Sequence, residues 1–151
     1  METNLTDLDF KIRTQIYRHF GEHGSPPSVQ QTASLLNAEE DAVRGSFHKL
    51  HARHMLFLEP GTDSVRMANP FSAIPTRYRV TSAQKQWWAN CAWDAFGIAA
   101  ALKIDVQIEA SYADLQQTVA LQVRDGGVDG KNHMIYFPLP CRQWYDDLIF
   151  T

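Results

Sequence analysis

The sequence predicts an α+β fold, in which a winged helix-turn-helix-like module is packed on a small mixed α/β core. Three observations support this prediction. In the first third of the chain, apolar residues recur at helical spacing in three segments, and two short apolar runs around a turn follow them. A strongly apolar stretch occupies residues 87–102. Beyond it, two segments alternate apolar and polar residues with the period of two that is typical of half-buried strands.

Length and charge limit the possible architectures. A chain of 151 residues forms one ordinary domain, or two very small ones that share a core. We predict the winged-helix-like module at 1–68, an ordered linker at 69–80 and the α/β core at 81–151. The 17 Asp and Glu residues outnumber the 14 Lys and Arg residues, and this balance argues against a strongly nucleic-acid-binding surface.

The sequence also indicates a cellular compartment. No apolar run approaches the roughly 18 residues that a membrane span needs, so no membrane partner is expected. The N-terminus has no basic region followed by an apolar core, and we expect no signal peptide. Two cysteines cannot form a disulfide framework, and cytosolic thiols are normally kept reduced. We therefore expect a cytoplasmic protein with two free thiols.

Three helices are predicted in the first module. Thr6 or Asp7 can cap the first helix, and the Pro26-Pro27 pair imposes an extended connection after it. Ser28 can cap the second helix, and the third begins near Glu39. The residues predicted to face inward are Leu8, Ile12, Ile16, Tyr17 and Phe20 in the first helix, Val29, Ala33, Leu35 and Leu36 in the second, and Val43, Phe47 and Leu50 in the third.

A hairpin after the third helix completes the winged-helix pattern, with runs at 55–58 and 65–67 flanking a turn at 61–64. This pattern suggests DNA binding through Arg44, His48, Lys49, His51, Arg53 and His54. The alternative is a packing module that has lost DNA binding. Residues 39–41 are all acidic and would face phosphates with the wrong sign, so we predict that the third helix does not read DNA. No cysteine or carboxylate lies near its histidines in the sequence, and no metal site is predicted there.

The second half is predicted to be a small sheet packed on one or two helices. Residues 69–76 contain two prolines and Phe71, which indicate an ordered, extended connection. The segment from Trp87 to Leu102 predicts a buried helix of three to four turns. Strands are predicted at 77–80, 104–108, 118–123 and 134–137, and a last short helix from Cys141 to Leu148.

One polar pair interrupts the apolar helix. Cys91 and Asp94 stand three residues apart, so both side chains are expected on one helix face, with Cβ atoms about 5–6 Å apart. A thiol beside a carboxyl on an apolar wall supplies a soft nucleophile and a group that can carry a proton. The alternative is a structural role, since a free cysteine usually behaves as a small buried apolar residue, and Asp94 can brace a backbone group.

Three segments of the chain resemble the alkylmercury lyase (organomercurial lyase) family. They are Asn-Pro-Phe-Ser-Ala-Ile-Pro at 69–75, Trp-Ala-Asn-Cys-Ala-Trp-Asp-Ala at 88–95, and Phe-Pro-Leu-Pro at 137–140 with Trp-Tyr-Asp-Asp at 144–147. The resemblance implies a degenerate winged helix fused to an α/β core, and protonolysis of a carbon–mercury bond by two cysteines and an aspartate. By position, Cys91 matches the first catalytic cysteine and the ligand of the substrate mercury, and Asp94 matches the catalytic acid.

The resemblance is incomplete at the second catalytic cysteine. Its position falls at or just beyond Thr151, and no cysteine occupies it in this sequence. Cys141 lies about ten residues earlier and is not assigned that role. With one thiolate the mercury is under-coordinated, so binding is expected more firmly than efficient cleavage.

Other residues complete the expected site. Trp88, Trp93 and Phe96 are candidates for the pocket wall, and His133 is a candidate proton carrier. No cofactor is expected, and the partner is a small-molecule substrate or a soft metal ion, with a homo-oligomer as a further possibility. Two other functions stay open: a winged-helix sensor that binds metals or electrophiles through Cys91, and a lyase-like scaffold used on another substrate with Cys91 as nucleophile.

Overall fold

The computed structural model describes residues 4–83, 85–112, 117–129 and 132–146. The helices in these residues are α1 (Asp7–His23), α2 (Val29–Leu36), α3 (Glu40–Ala52) and α4 (Ala92–Leu102), with a 3-10 turn at Cys141–Gln143. The strands are β1 (Phe57–Leu58), β2 (Val65–Ala68), β3 (Phe71–Ser72), β4 (Tyr78–Ser82), β5 (Lys85–Ala89), β6 (Val106–Ser111), β7 (Thr118–Arg124) and β8 (Gly127–Asp129). No helix in these residues is long and apolar enough to cross a membrane.

The strands form one antiparallel sheet in the order β1-β2-β3-β5-β4-β6-β7-β8. Strand β3 joins its two halves, because Phe71 pairs with Ala89 of β5 and Ser72 pairs with Trp88. Mixed helices and an antiparallel sheet confirm the predicted α+β class. The division of the chain at 68 and 80 stays a prediction.

The first three helices and the β1–β2 hairpin form at the predicted positions. Thr6 and Ser28 each cap a helix through a reciprocal capping box, as their spacing to Asp9 and Gln31 allows. One inward-facing prediction is wrong: Leu35 is 57% exposed, because the eight-residue helix α2 buries Val29, Thr32 and Ala33 instead.

A buried carboxylate ties α1 to α3. The Ser46 hydroxyl donates to Asp9 at 2.5 Å, and Lys49 Nζ lies 3.7 Å from the same carboxylate. Burial raises the pKa of Asp9, but the hydrogen bonds from Ser46 and Thr6 and the charge of Lys49 outweigh it and hold this pKa below its ordinary value. The pair of helices is therefore held by a charge-assisted contact as well as by its apolar core.

The long helix predicted from Trp87 is wrong at its start. Lys85–Ala89 form strand β5, and α4 begins only at Ala92. Side chains alternate along this strand, so Trp87 is buried and its indole N–H donates to the Phe20 carbonyl at 2.9 Å. Helix α4 is also buried on one side only, at Ala95, Ile98 and Ala99.

The C-terminal predictions are corrected as well. Residues 134–137 form no strand in the structure, and their side chains do not alternate in burial, with Met134 96% and Tyr136 83% exposed. The segment is held by aromatic contacts. The ring centroid of Phe137 is 6.4 Å from that of Trp93, and the Phe137 ring stacks on Trp144 with centroids 5.5 Å apart. Cys141–Gln143 make a 3-10 turn, and the predicted helix end at Leu148 lies outside the described residues.

Candidate functional site

Cys91 lies at the junction of β5 and α4, as the N-cap residue of the helix. Its backbone is extended (φ −145°, ψ 177°), and its Sγ accepts the Asp94 backbone N–H at 3.4 Å. The predicted closeness to Asp94 therefore has a different cause. The thiol contacts Asp94 because an N-cap side chain accepts the backbone N–H of the third helical residue. The prediction had instead placed Cys91 and Asp94 on one face within the same helix.

The surroundings of Cys91 favour the neutral thiol. Burial, together with the negative charge of Asp94, raises the pKa of Cys91 to about 11. The backbone N–H groups of Trp93 and Asp94 at the helix start act in the opposite direction and are outweighed. At neutral pH the sulfur therefore carries its proton, and a metal that binds it must displace that proton.

Asp94 is placed to receive such a proton. Burial raises the pKa of Asp94 above its ordinary value, while hydrogen bonds with the Cys91 thiol and the Asn90 side chain partly oppose this rise. A carboxylate with a raised pKa is a stronger base than an exposed aspartate. The pair thus combines a soft sulfur atom with an adjacent proton acceptor.

Asn90 connects this pair to the segment at 69–71. Its amide donates to Asn69 Oδ1 at 2.9 Å and to the Phe71 carbonyl at 3.1 Å. Pro70 lies so close to α4 that a Cβ on Gly97 would be 3.2 Å from it. Sequence reasoning gave these asparagines no role, although both lie in the segments that resemble the family.

A cavity of about 600 Å³ lies beside the pair, between α4, the central strands and residues 133–136. Trp93, Phe96 and His133 line it. Cys91 and Asp94 are not among its lining residues, although the neighbouring Ala92 and Trp93 are. The Cys91–Asp94 pair is therefore next to the cavity and does not line it.

The remaining candidates lie elsewhere. Trp88 pairs with Arg79 in the sheet, on the face opposite to Trp87 and α4, so it does not wall the cavity. His133 Nδ1 is 3.4 Å from the Tyr112 hydroxyl at the cavity. Cys141 is exposed at the start of the 3-10 turn.

His48 and His51 of α3, and His54 just after the helix, have separate partners. His48 bonds to Asp63 at 2.8 Å, His51 accepts the Leu58 N–H at 3.3 Å, and His54 stacks on Tyr145. Among the described residues, no group of three or more His, Cys, Asp or Glu side chains is arranged to hold a metal ion.

Comparison with known proteins relates the chain to one family. The family model described as alkylmercury lyase matches residues 71–150. A similar solved structure is the mercury-bound form of MerB2, at 20% sequence identity and a TM-score of 0.66, covering 84% of this chain and 61% of that one. At this identity the likeness concerns the fold, and this chain spans under two thirds of that protein's length. No curated protein matches the chain.

Proposed function

The chain belongs to the alkylmercury lyase family, since the family model covers more than half of its residues, and from this premise we propose that it cleaves carbon–mercury bonds by protonolysis. Cys91 is the mercury ligand and Asp94 the proton carrier. The observation that carries the proposal is the position of the Cys91 thiol at the start of α4, inside the matched segment, where its Sγ accepts the Asp94 backbone N–H at 3.4 Å.

The first step is capture of the organomercury cation. A thiolate is a soft ligand and is preferred by soft metals over oxygen or nitrogen donors. The new Sγ–Hg bond forms as the S–H bond breaks, and the proton passes to the Asp94 carboxylate. Any ligand previously on the mercury leaves as an anion. The raised pKa of Asp94 favours this transfer.

The second step is cleavage of the carbon–mercury bond. Asp94 donates its proton to the carbon, the electron pair of the carbon–mercury bond forms the new carbon–hydrogen bond, and the hydrocarbon leaves. Asp94 is again a carboxylate and Hg(II) stays on Cys91. A small thiolate from solution supplies the second sulfur ligand and, with a further thiol, removes the metal.

Turnover of phenylmercury tests this proposal. With excess 2-mercaptoethanol at neutral pH, we expect more than one benzene molecule per protein molecule, measured by gas chromatography, because the small thiol regenerates the site. The same mixture without protein gives the background. Tight mercurial binding without benzene above that background would contradict cleavage and favour a sensor or a scaffold used on another substrate.

We interpret residues 1–68 as a degenerate winged helix that packs on the lyase core. Three helices followed by the β1–β2 hairpin support this interpretation. Two of the side chains that would contact phosphates are engaged within the module, since Arg44 and His48 bind Asp63 at 2.5 and 2.8 Å. The exposed carboxylates at the start of α3 oppose DNA further.

Gel-shift titration checks the DNA prediction. At physiological salt we expect no sequence-selective complex with random or selected duplexes at micromolar protein, because α3 presents acidic residues first. Replacing residues 39–41 by the neutral amides Gln-Gln-Asn is the matched control, since it removes the repulsion without adding cations. Selective binding by the unmodified protein below micromolar concentration would overturn the prediction.

A further inference from the structure

We propose that Asn90 is a positioning residue for the Cys91–Asp94 pair, because it holds the junction of β5 and α4 against residues 69–71 and thereby keeps the Cys91 thiol in its capping position. The inference rests on the proposed function, to which it adds a residue that acts through Cys91 and not on the substrate. Its support is the pair of hydrogen bonds made by the Asn90 side chain, the way in which residues 69–71 are themselves held, and the backbone geometry that the cap requires.

The Asn90 side chain makes two hydrogen bonds to the same segment. Its Nδ2 donates to the side-chain oxygen of Asn69 at 2.9 Å and to the Phe71 carbonyl at 3.1 Å. An amide NH₂ group has two hydrogens to donate, so both are engaged. Two contacts from one planar group fix its orientation, and Cys91 is the next residue in the chain. The residue that precedes the thiol is therefore fixed in place.

The segment that receives these hydrogen bonds is itself firmly held. On one side, Tyr17 of α1 donates its hydroxyl to the Asn69 carbonyl at 3.0 Å, and the Phe71 ring stacks on Phe20 with centroids 5.2 Å apart. On the other side, Phe71 pairs with Ala89 in the sheet. A side chain bound to this segment is thus anchored both to α1 and to the sheet.

The capping contact of Cys91 depends on the backbone next to Asn90. An N-cap residue has an extended backbone, and Cys91 meets this requirement with φ −145° and ψ 177°. With these angles its Sγ accepts the Asp94 N–H at 3.4 Å. Sulfur is a weak acceptor, so this hydrogen bond alone contributes little to holding the junction. Asn90 is the adjacent residue, and its two hydrogen bonds to oxygen supply the stronger support.

The position of the thiol matters for both steps of the proposed reaction. The proton moves from Cys91 to Asp94 and then to the carbon, so the sulfur and the carboxyl have to stay close to one another throughout. A misplacement of about 1 Å can cost about 100-fold in rate. Asn90 takes no part in the proton transfer itself, and it acts by keeping the two side chains in place.

Two measurements test the inference without mercury. In Asn90→Ala we expect the Asp94 amide hydrogen to exchange about fivefold faster than in the wild type, followed by NMR, which is the effect of one weakened hydrogen bond. Alkylation of Cys91 by iodoacetamide should accelerate as well, because the thiol leaves its half-buried position. Both are measured in a Cys141→Ser background, in which Cys91 is the one remaining thiol of the sequence.

Variants of Asn69 test the same contact from its other side. Asn69→Ala should change exchange and alkylation in the same direction as Asn90→Ala, because the side-chain acceptor is lost. Asn69→Asp keeps a side-chain oxygen that accepts the hydrogen bond, and it should behave as the wild type does. The double variant should differ little from Asn90→Ala, since both single changes remove one interaction.

Trp87→Phe is the matched control, because it removes the indole hydrogen bond to the Phe20 carbonyl, a different contact between β5 and α1. It should lower the melting temperature and leave exchange at Asp94 and alkylation of Cys91 unchanged. Thermal melting verifies that each variant is folded. Unchanged exchange and alkylation in folded Asn90→Ala, or equal changes in Trp87→Phe, would overturn the inference.

Benzene formation from phenylmercury relates the inference to the reaction. It should fall at least about tenfold in Asn90→Ala because the pair is misplaced, and an undiminished rate would contradict the positioning role. Wild-type protein that releases no benzene would instead contradict the proposed function. The exchange and alkylation measurements then still decide the role of Asn90, so the two failures give different results.

Discussion

Replacing Cys91 by serine is expected to abolish retention of an organomercurial by the protein. A serine oxygen is a hard donor and does not compete with thiols for Hg(II). The substitution should leave the fold intact, because Cys91 is the N-cap of α4 and serine is among the best N-cap residues. Loss of binding in a protein with unchanged melting temperature then reports on the sulfur atom and not on unfolding.

The measurement is native mass spectrometry after incubation with one equivalent each of phenylmercury and a small thiol, which competes for the mercury but is too little to remove it from the site. Cys141→Ser is the matched control, since it removes the other thiol of the sequence, which is exposed on the 3-10 turn. We expect one retained adduct in the wild type and in Cys141→Ser, and none in Cys91→Ser. An adduct that persists in Cys91→Ser and disappears in Cys141→Ser would show that Cys141, and not Cys91, binds the mercury.

Local sequence signals predicted the parts of the structure that depend on local interactions. The capping boxes at Thr6 and Ser28 need only residues three positions apart. The proximity of Cys91 and Asp94 was predicted for the same reason, since the separation along the chain fixes it in either backbone geometry. These features are determined within one turn of helix.

The features that the sequence did not predict depend on distant contacts. Trp87 is in an apolar run that suits a helix as well as a strand. In the structure it is in a strand, and its indole N–H donates to the carbonyl of Phe20, 67 residues away. Asn90 has its role through Asn69, which only the pairing of β3 with β5 brings near. Tyr78 and Ala110 line the cavity together because β4 is paired with β6, and no spacing along the chain indicates that they are neighbours.

Replacing Asp94 by asparagine is expected to separate binding from cleavage. Asparagine has nearly the same shape and can keep the hydrogen bonds at the helix start, but it cannot carry the proton. Retention of phenylmercury by Cys91 should persist, and benzene formation should fall at least about 100-fold, the usual contribution of a positioned general acid. Asp9→Asn, at a buried aspartate far from Cys91 in the sequence, controls for the loss of a carboxylate in general.

The difference in stability between Asp94→Asn and the wild type should depend on pH, because the pKa of Asp94 is raised in the folded protein. A carboxyl whose pKa is higher in the folded than in the unfolded protein contributes stability at low pH, and the contribution is lost as pH rises through the folded pKa. Asp94→Asn never acquires the charge, so it should melt above the wild type at pH 8, and the difference should shrink below about pH 4, where an ordinary aspartate is protonated. Thermal melting across this range measures it. Benzene formation that survives in Asp94→Asn, or a variant that melts below the wild type at pH 8 and equals it in acid, would contradict the role of Asp94 as a buried proton carrier.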